Sequence, residues 1–108
     1  MNELQTIFYH KCFLKDLHIL KKYDPEKGFT MDLEMRLTSD CYFRSDDEST
    51  VRFYHVEQLE MKALHHALRM FLELYDLKEY QYEYLRYQIV DEENGVLSFL
   101  CESFEILN

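Results

Sequence analysis

Phe29-Thr30-Met31-Asp32-Leu33-Glu34-Met35-Arg36-Leu37 is the stretch that decides the fold. Phe29, Met31, Leu33, Met35 and Leu37 alternate without exception with Thr30, Asp32, Glu34 and Arg36. Period two belongs to a strand, whose successive side chains point to opposite faces. The pattern predicts one face on a core and one face toward water. Just upstream, Asp24-Pro25-Glu26-Lys27-Gly28 reads as a turn. Proline sets φ there and glycine supplies a permissive exit. Phe13 to Tyr23 is then the expected hairpin partner, with Leu17 and Ile19 inward. Its alternation is poorer, because Leu14, His18 and Leu20 fall on the opposite side.

Downstream, Ser39 to Ser49 reads as a polar loop with Asp46-Asp47-Glu48-Ser49 at its tip, and Thr50 to Tyr54 as a short strand. From Met61 to Leu74, the polar residues Lys62, His65, His66, Arg69 and Glu73 recur at helical spacings, with apolar residues between them. That spacing predicts an amphipathic helix with a narrow wet stripe. Met61 lacks a Ser/Thr/Asp/Asn cap, so the start is open from Val56 onward. Asn94-Gly95 reads as a hairpin turn between Tyr80–Val90 and Val96–Ile106. The second of these segments is apolar on both faces, the mark of a central or covered strand. The expected architecture is a single α+β domain over residues 1–108, an antiparallel sheet of about five strands packed against one main helix.

Composition narrows the function. The formal net charge is −9 over 108 residues, which argues against nucleic-acid or anionic-membrane binding, since phosphate contacts need clustered Lys and Arg. No window approaches 18 consecutive apolar residues, so no transmembrane helix is expected. Met1 to His10 lacks the basic start and long apolar core of a secretory signal. Cys12, Cys41 and Cys101 are odd in number and far apart, which fits reduced thiols in a cytoplasmic protein.

Motifs for chemistry are scarce. There is no GxxxxGK[ST], GxGxxG or GxSxG, and two glycines leave little scope for a phosphate cradle. No catalytic residue, metal site or cofactor is expected. His65 and His66 are adjacent, so on a helix they point about 100° apart and do not chelate as an i, i+4 pair does. Asp32 and Glu34 share a strand face and could act as acid and base only if one were desolvated; their alternation with apolar residues predicts solvated side chains. A competing reading is a small enzyme or ligand-binding domain with a site assembled from His10, Cys12, His55 and distant carboxylates.

The strongest cluster lies near the C-terminus. Glu73 to Asn108 holds nine Asp/Glu against two Lys/Arg, and Tyr75, Tyr80, Tyr82, Tyr84 and Tyr87 fall within thirteen residues of it. Tyrosine presents a large rigid face and a hydroxyl at low rotamer cost, and interleaved carboxylates pair with a basic partner and speed encounter. The expected partner-binding residues are Asp76, Glu79, Tyr80, Tyr82, Glu83 and Tyr84, with Asp91, Glu92 and Glu93 at the rim. Tyrosine is also a good strand former, and Tyr80, Tyr82 and Tyr84 serve equally well packed beneath a loop or helix. A homodimer with a self-complementary tyrosine face is a third arrangement.

Three segments together resemble the small immunity proteins of bacterial polymorphic toxin systems. They are Phe8-Tyr9-His10-Lys11-Cys12-Phe13, then Val51-Arg52-Phe53-Tyr54-His55-Val56-Glu57-Gln58-Leu59 with its aliphatic-x-Phe-x-x-Val-x-x-Leu pattern, and the closing Leu97 to Ile106. Lys11 departs from the acidic or small residue that follows the aromatic-His pair in many such proteins. The resemblance implies a stoichiometric inhibitor that covers the active site of a cognate toxin domain and has no catalytic residues of its own. Nuclease toxins carry basic substrate grooves, which suits an acidic inhibitor.

Overall fold

The structure, a computed structural model, describes residues 3–44, 46–62, 69–78 and 84–107. One helix, α1 (Glu3–His10), precedes β1 (Phe13–Asp24), β2 (Gly28–Thr38), β3 (Glu48–Tyr54), β4 (Glu57–Met61), β5 (Leu72–Asp76), β6 (Tyr87–Asp91), β7 (Leu97–Cys101) and β8 (Ser103–Ile106). The strands form two antiparallel sheets, ordered β1-β2-β3-β8 and β4-β7-β6-β5. The expected single sheet of about five strands is thus two sheets of four. The main helix expected over Met61–Leu74 is absent at both of its described ends, where Met61 closes β4 against Leu97 and Leu72 opens β5 against Asp91. Ladder pairing overrides the local helical spacing there. Residues 63–68, His65 and His66 among them, lie outside the described residues.

One core joins the sheets. Leu33, Met35, Leu37, Val51 and Phe53 of the first sheet pack with Leu72, Ile89, Leu97, Phe99 and Cys101 of the second. The rings of Phe53 and Phe99 meet edge to face, with centroids 4.9 Å apart and planes at 73°. Helix α1 closes one side through Leu4 and Phe8, four residues apart and both buried. The sequence reading gave no helix there, although the 4/8 spacing carried the signal. Between those two, the side-chain amide of the buried Gln5 donates to the Leu72 carbonyl at 3.1 Å and accepts from the Leu74 N–H at 2.9 Å. It thereby covers the open edge of β5 as a neighbouring strand would.

The two sheets share two strand runs. β3 passes into β4 across His55 and Val56, and β7 passes into β8 across Glu102 alone. The two passages are tied to each other where the Glu102 N–H donates to the Tyr54 carbonyl at 3.0 Å. β3 pairs with β8 on one side of this corner and β4 with β7 on the other. Corners of this kind need a local departure from strand geometry. His55 supplies it at φ 55°, in the left-handed region that histidine enters more readily than most residues. The corner also resets the alternation. Phe53 and Val56 both point to the core, three apart, and so do Cys101 and Phe104. The closing segment expected to be one strand apolar on both faces is instead two strands in different sheets.

The hairpin of β1 and β2 has the expected turn, with Gly28 at φ 80°. A register shift between Leu14 and Asp16 puts Leu14 and Leu17 together on the core, which accounts for the poor alternation of that strand. Ile19, expected inward, is 44% exposed. Phe29 is 85% exposed although it keeps the parity of the core face, because β3 pairs with β2 only from Leu33 to Thr38 and the hairpin runs on past the second sheet. Asp32, expected in water, is only 4% exposed. Its carboxylate accepts the His55 backbone N–H at 3.1 Å and stands 3.1 Å from Lys22 Nζ.

The Gln5 clamp gives a direct test of the helix docking. Gln5→Ala leaves the Leu72 carbonyl and the Leu74 N–H without their partners, and is expected to cost about 2 kcal/mol. Urea denaturation of the variant beside wild type measures it. An unchanged midpoint would show that α1 docks through Leu4 and Phe8 alone.

Candidate protein-binding site

The corner holds a cluster of polar side chains. His55 is mostly buried, with its ring 4.1 Å from that of Tyr84 at 37°. Nε2 stands 3.2 Å from a Glu57 carboxylate oxygen. Nδ1 lies 3.5 Å from Glu102 without hydrogen-bond geometry, so it has no bonded partner there. The same Glu102 oxygen takes Lys27 Nζ at 3.2 Å, which ties the turn after β1 to the corner. The Tyr84 hydroxyl donates to Glu57. Beside this cluster opens a groove of about 650 Å³, with Lys21, Phe29 and Met31 on one wall and His55, Val56 and Tyr84 on the other. Thr30 also lines it, and its hydroxyl is buried without a hydrogen-bond partner.

The structure divides the residues expected at a partner surface. Glu79, Tyr80, Tyr82 and Glu83 lie outside the described residues. Tyr84 joins the corner groove. Asp76 is exposed at the end of β5; the backbone N–H of Lys78 and then Arg86, 3.5 Å away, hold its carboxyl below the usual aspartate range. Glu92 and Glu93 are exposed in the turn after β6. That turn adjoins Leu72, four residues along β5 from Asp76, a separation of about 13 Å at the strand rise. Asp91, expected at the rim, is 3% exposed. Its carboxylate accepts the backbone N–H groups of Phe71 and Val96 at 3.0 Å, Glu93 at 3.3 Å and Asn94 at 3.4 Å. It is the organiser of that turn and presents nothing to a partner.

The outward face of the second sheet extends the acidic surface beyond the expected set. Register places Glu73, Val90, Ser98 and Glu60 in one row across the four strands. The next row is Tyr75, Gln88, Leu100 and Glu57. Leu77 and Leu85 pack on Leu100. The Tyr75 hydroxyl donates to Glu92, and this bond holds its proton above the usual tyrosine range. Sequence reasoning passed over Glu57, Glu60 and Glu73 as a group because they lie on different strands.

The alternative cluster does not assemble. Cys12 precedes Phe13, which pairs with Thr38, whereas the His55 backbone meets Asp32. Six residues of β2 separate those points, about 20 Å. Cys12 instead donates to the carbonyls of Phe8 and Tyr9 at the end of α1. Burial pushes the Cys101 thiol up to about 12. Among the described residues, no three His, Cys, Asp or Glu side chains gather as metal ligands. Nor is any described helix long and apolar enough to cross a membrane.

The described part of the surface thus holds strand-borne carboxylates and Tyr75, with a groove at its margin. The family model of the PIM8 immunity proteins matches residues 1–107, and the chain belongs to that family. No curated protein and no solved structure matches it.

Two substitutions test the site's framework. Asp91→Ala is expected to lower stability by about 3 kcal/mol through loss of hydrogen bonds to a charged acceptor; a melting temperature equal to wild type would contradict its role in the turn. His55→Val is expected to be less stable than His55→Asn by about 1–3 kcal/mol, because asparagine tolerates the left-handed backbone and a β-branched residue does not. Chemical denaturation of the pair decides this, and equal stabilities would mean that the corner relaxes without strain.

Proposed function

We propose that this immunity protein neutralises a cognate bacterial toxin without chemistry of its own, by binding it one to one and covering a basic active-site surface. The observation that carries the reading is the family match over residues 1–107. The proposed contact surface is Asp76, Glu79, Tyr80, Tyr82, Glu83 and Tyr84, with Glu92 and Glu93 at its rim. Glu57, Glu60 and Glu73 extend it along the second sheet. Asp91 is left out because its oxygens are already committed to the turn.

Physical reasons support this choice. Residues 55–108 carry eleven acids and four bases, against ten and eight in residues 1–54. A concentrated negative face speeds encounter with a basic groove and fixes orientation. Exposed tyrosines contribute contact area with little rotamer entropy to lose. The proposed place of action is the cytoplasm of the producing cell or its siblings, where the toxin would otherwise reach its target.

The test pairs the purified protein with the toxin domain encoded by the neighbouring reading frame. Calorimetry is expected to give a one-to-one complex, and co-expression is expected to restore growth. Tyr82→Ala together with Glu83→Lys is expected to weaken binding at least tenfold, with the loss growing at low salt and the melting temperature held. Unchanged affinity would remove that surface from the proposal, and an unfolded double variant would reassign both residues to packing.

A further inference from the structure

The core-facing side of the first sheet does not end where the core ends. Leu17 pairs with Met35 and Ile19 with Leu33; one step on, Lys21 pairs with Met31, and Tyr23 with Phe29. All of these share one face by parity. Leu33 and Met35 are covered, whereas Ile19 is 44%, Tyr23 64% and Phe29 85% exposed. A strip with the alternation of a buried face therefore stands bare on a two-stranded arm. Tyr23 and Phe29 meet edge to face at its tip, with centroids 5.3 Å apart. The strip runs into the corner groove, where Met31, Val56, His55 and Tyr84 continue it.

Charge identifies what fits. Lys21 stands in the middle of the strip and, among the described residues, makes no ion pair. Lys27, on the same groove, already pairs with Glu102. The carboxylate on the opposite wall, Glu57, is occupied by His55 and Tyr84. The charged group left to be matched on the apolar strip is thus the Lys21 ammonium, and the groove it borders also holds the unbonded Thr30 hydroxyl and His55 Nδ1.

We propose that the arm and its groove form a second docking surface, which receives a loop of the toxin carrying an aromatic or aliphatic side chain next to a carboxylate. The apolar side chain lies along Phe29, Met31 and Tyr84, and the carboxylate pairs with Lys21. This inference rests on the reading of the chain as a toxin-binding protein and adds to it a contact of opposite sign to the acidic face. A second copy of this chain is the less suitable occupant, because two molecules at −9 each repel.

The experiment measures the affinity of the full-length protein for the toxin domain by calorimetry, with sedimentation velocity on the protein alone. Phe29→Ala is expected to weaken binding at least tenfold, and Lys21→Glu about tenfold with a larger effect at low salt. Both variants are expected to melt within a few degrees of wild type, since Phe29 is mostly in water with its ring contact confined to the tip, and Lys21 makes no ion pair among the described residues. Wild-type affinity in both variants, while Tyr82→Ala with Glu83→Lys still weakens the complex, would overturn the arm and leave the acidic surface standing. Absence of any complex with the wild-type protein would overturn both proposals. A dimer of the protein alone that Phe29→Ala dissolves, with toxin affinity unchanged, would give the arm to a second copy and overturn this one.

Discussion

The fold depends on a corner. Two neighbouring strand runs leave one sheet and enter the other at the same level, one through His55 and Val56, the other through Glu102. Because they are neighbours, their ladder is interrupted only briefly and is bridged by the Glu102 amide on the Tyr54 carbonyl. The left-handed His55 costs roughly a kilocalorie or more of backbone strain. That cost is local, while the gain is shared, since both sheets then turn their apolar sides onto one core. Asp32 makes the turn hold. A buried carboxylate is expensive unless bonded, and this one is placed against the one backbone N–H that the bend turns toward it and against Lys22.

The same corner separates two kinds of surface. Past it, the second sheet shows its outward face, where Glu57, Glu60 and Glu73 fall on rows set by strand register. On the other side, the hairpin of β1 and β2 outruns the second sheet and keeps its apolar side uncovered. Lysines 21, 22 and 27 all lie on that hairpin, in a chain whose acids outnumber its bases by nine. Polarity thus changes across a single bend, from an acidic sheet face to an arm whose three lysines are balanced by Asp24, Glu26 and Asp32. The Lys27–Glu102 pair and the Tyr84–Glu57 bond lace the bend itself, so the two surfaces are held in one orientation.

Local pattern in the sequence carried strands better than sheets. Phe29 to Leu37, its Pro-Gly turn and the Asn94-Gly95 turn were legible because turn chemistry and period two act between near neighbours. Membership of a sheet is a long-range property, and it escaped. The three-residue steps Phe53 to Val56 and Cys101 to Phe104 record the corner, yet each alone resembles an irregular strand. The helical spacing over Met61–Leu74 fails at its two described ends, because Met61 and Leu72–Leu74 belong to ladders with distant strands that no local spacing records. Alternation also states which face is meant for burial without stating what buries it, and so Phe29 kept its parity and lost its cover. Asp91 was misread for the opposite reason: in a run of three acids, nothing local marks which one turns inward to bind four backbone N–H groups.

Rigidity is what the two surfaces have in common, and it bears on the entropic cost of covering either of them. Association costs translational and rotational freedom, plus the ordering of any side chain or loop that was mobile beforehand. Carboxylates on strands of a four-stranded sheet are spaced by the ladder and need little further ordering. The arm has only one strand pair beyond Leu33, which by itself is marginal in water. Besides the Lys22–Asp32 and Lys27–Glu102 pairs, it is steadied by the Tyr23–Phe29 ring pair, the Asp24 carboxylate accepting the N–H groups of Glu26 and Lys27 in the turn, and the Val56 N–H donating to the Met31 carbonyl at 2.7 Å. The ring pair and the Asp24 bonds lie at the tip and the Val56 bond at the corner, so both ends of the arm are fixed while its apolar side stays bare. A face held in place yet left uncovered has already met most of the entropic cost of being covered, and that is the physical ground for treating it as a binding element rather than as a frayed edge.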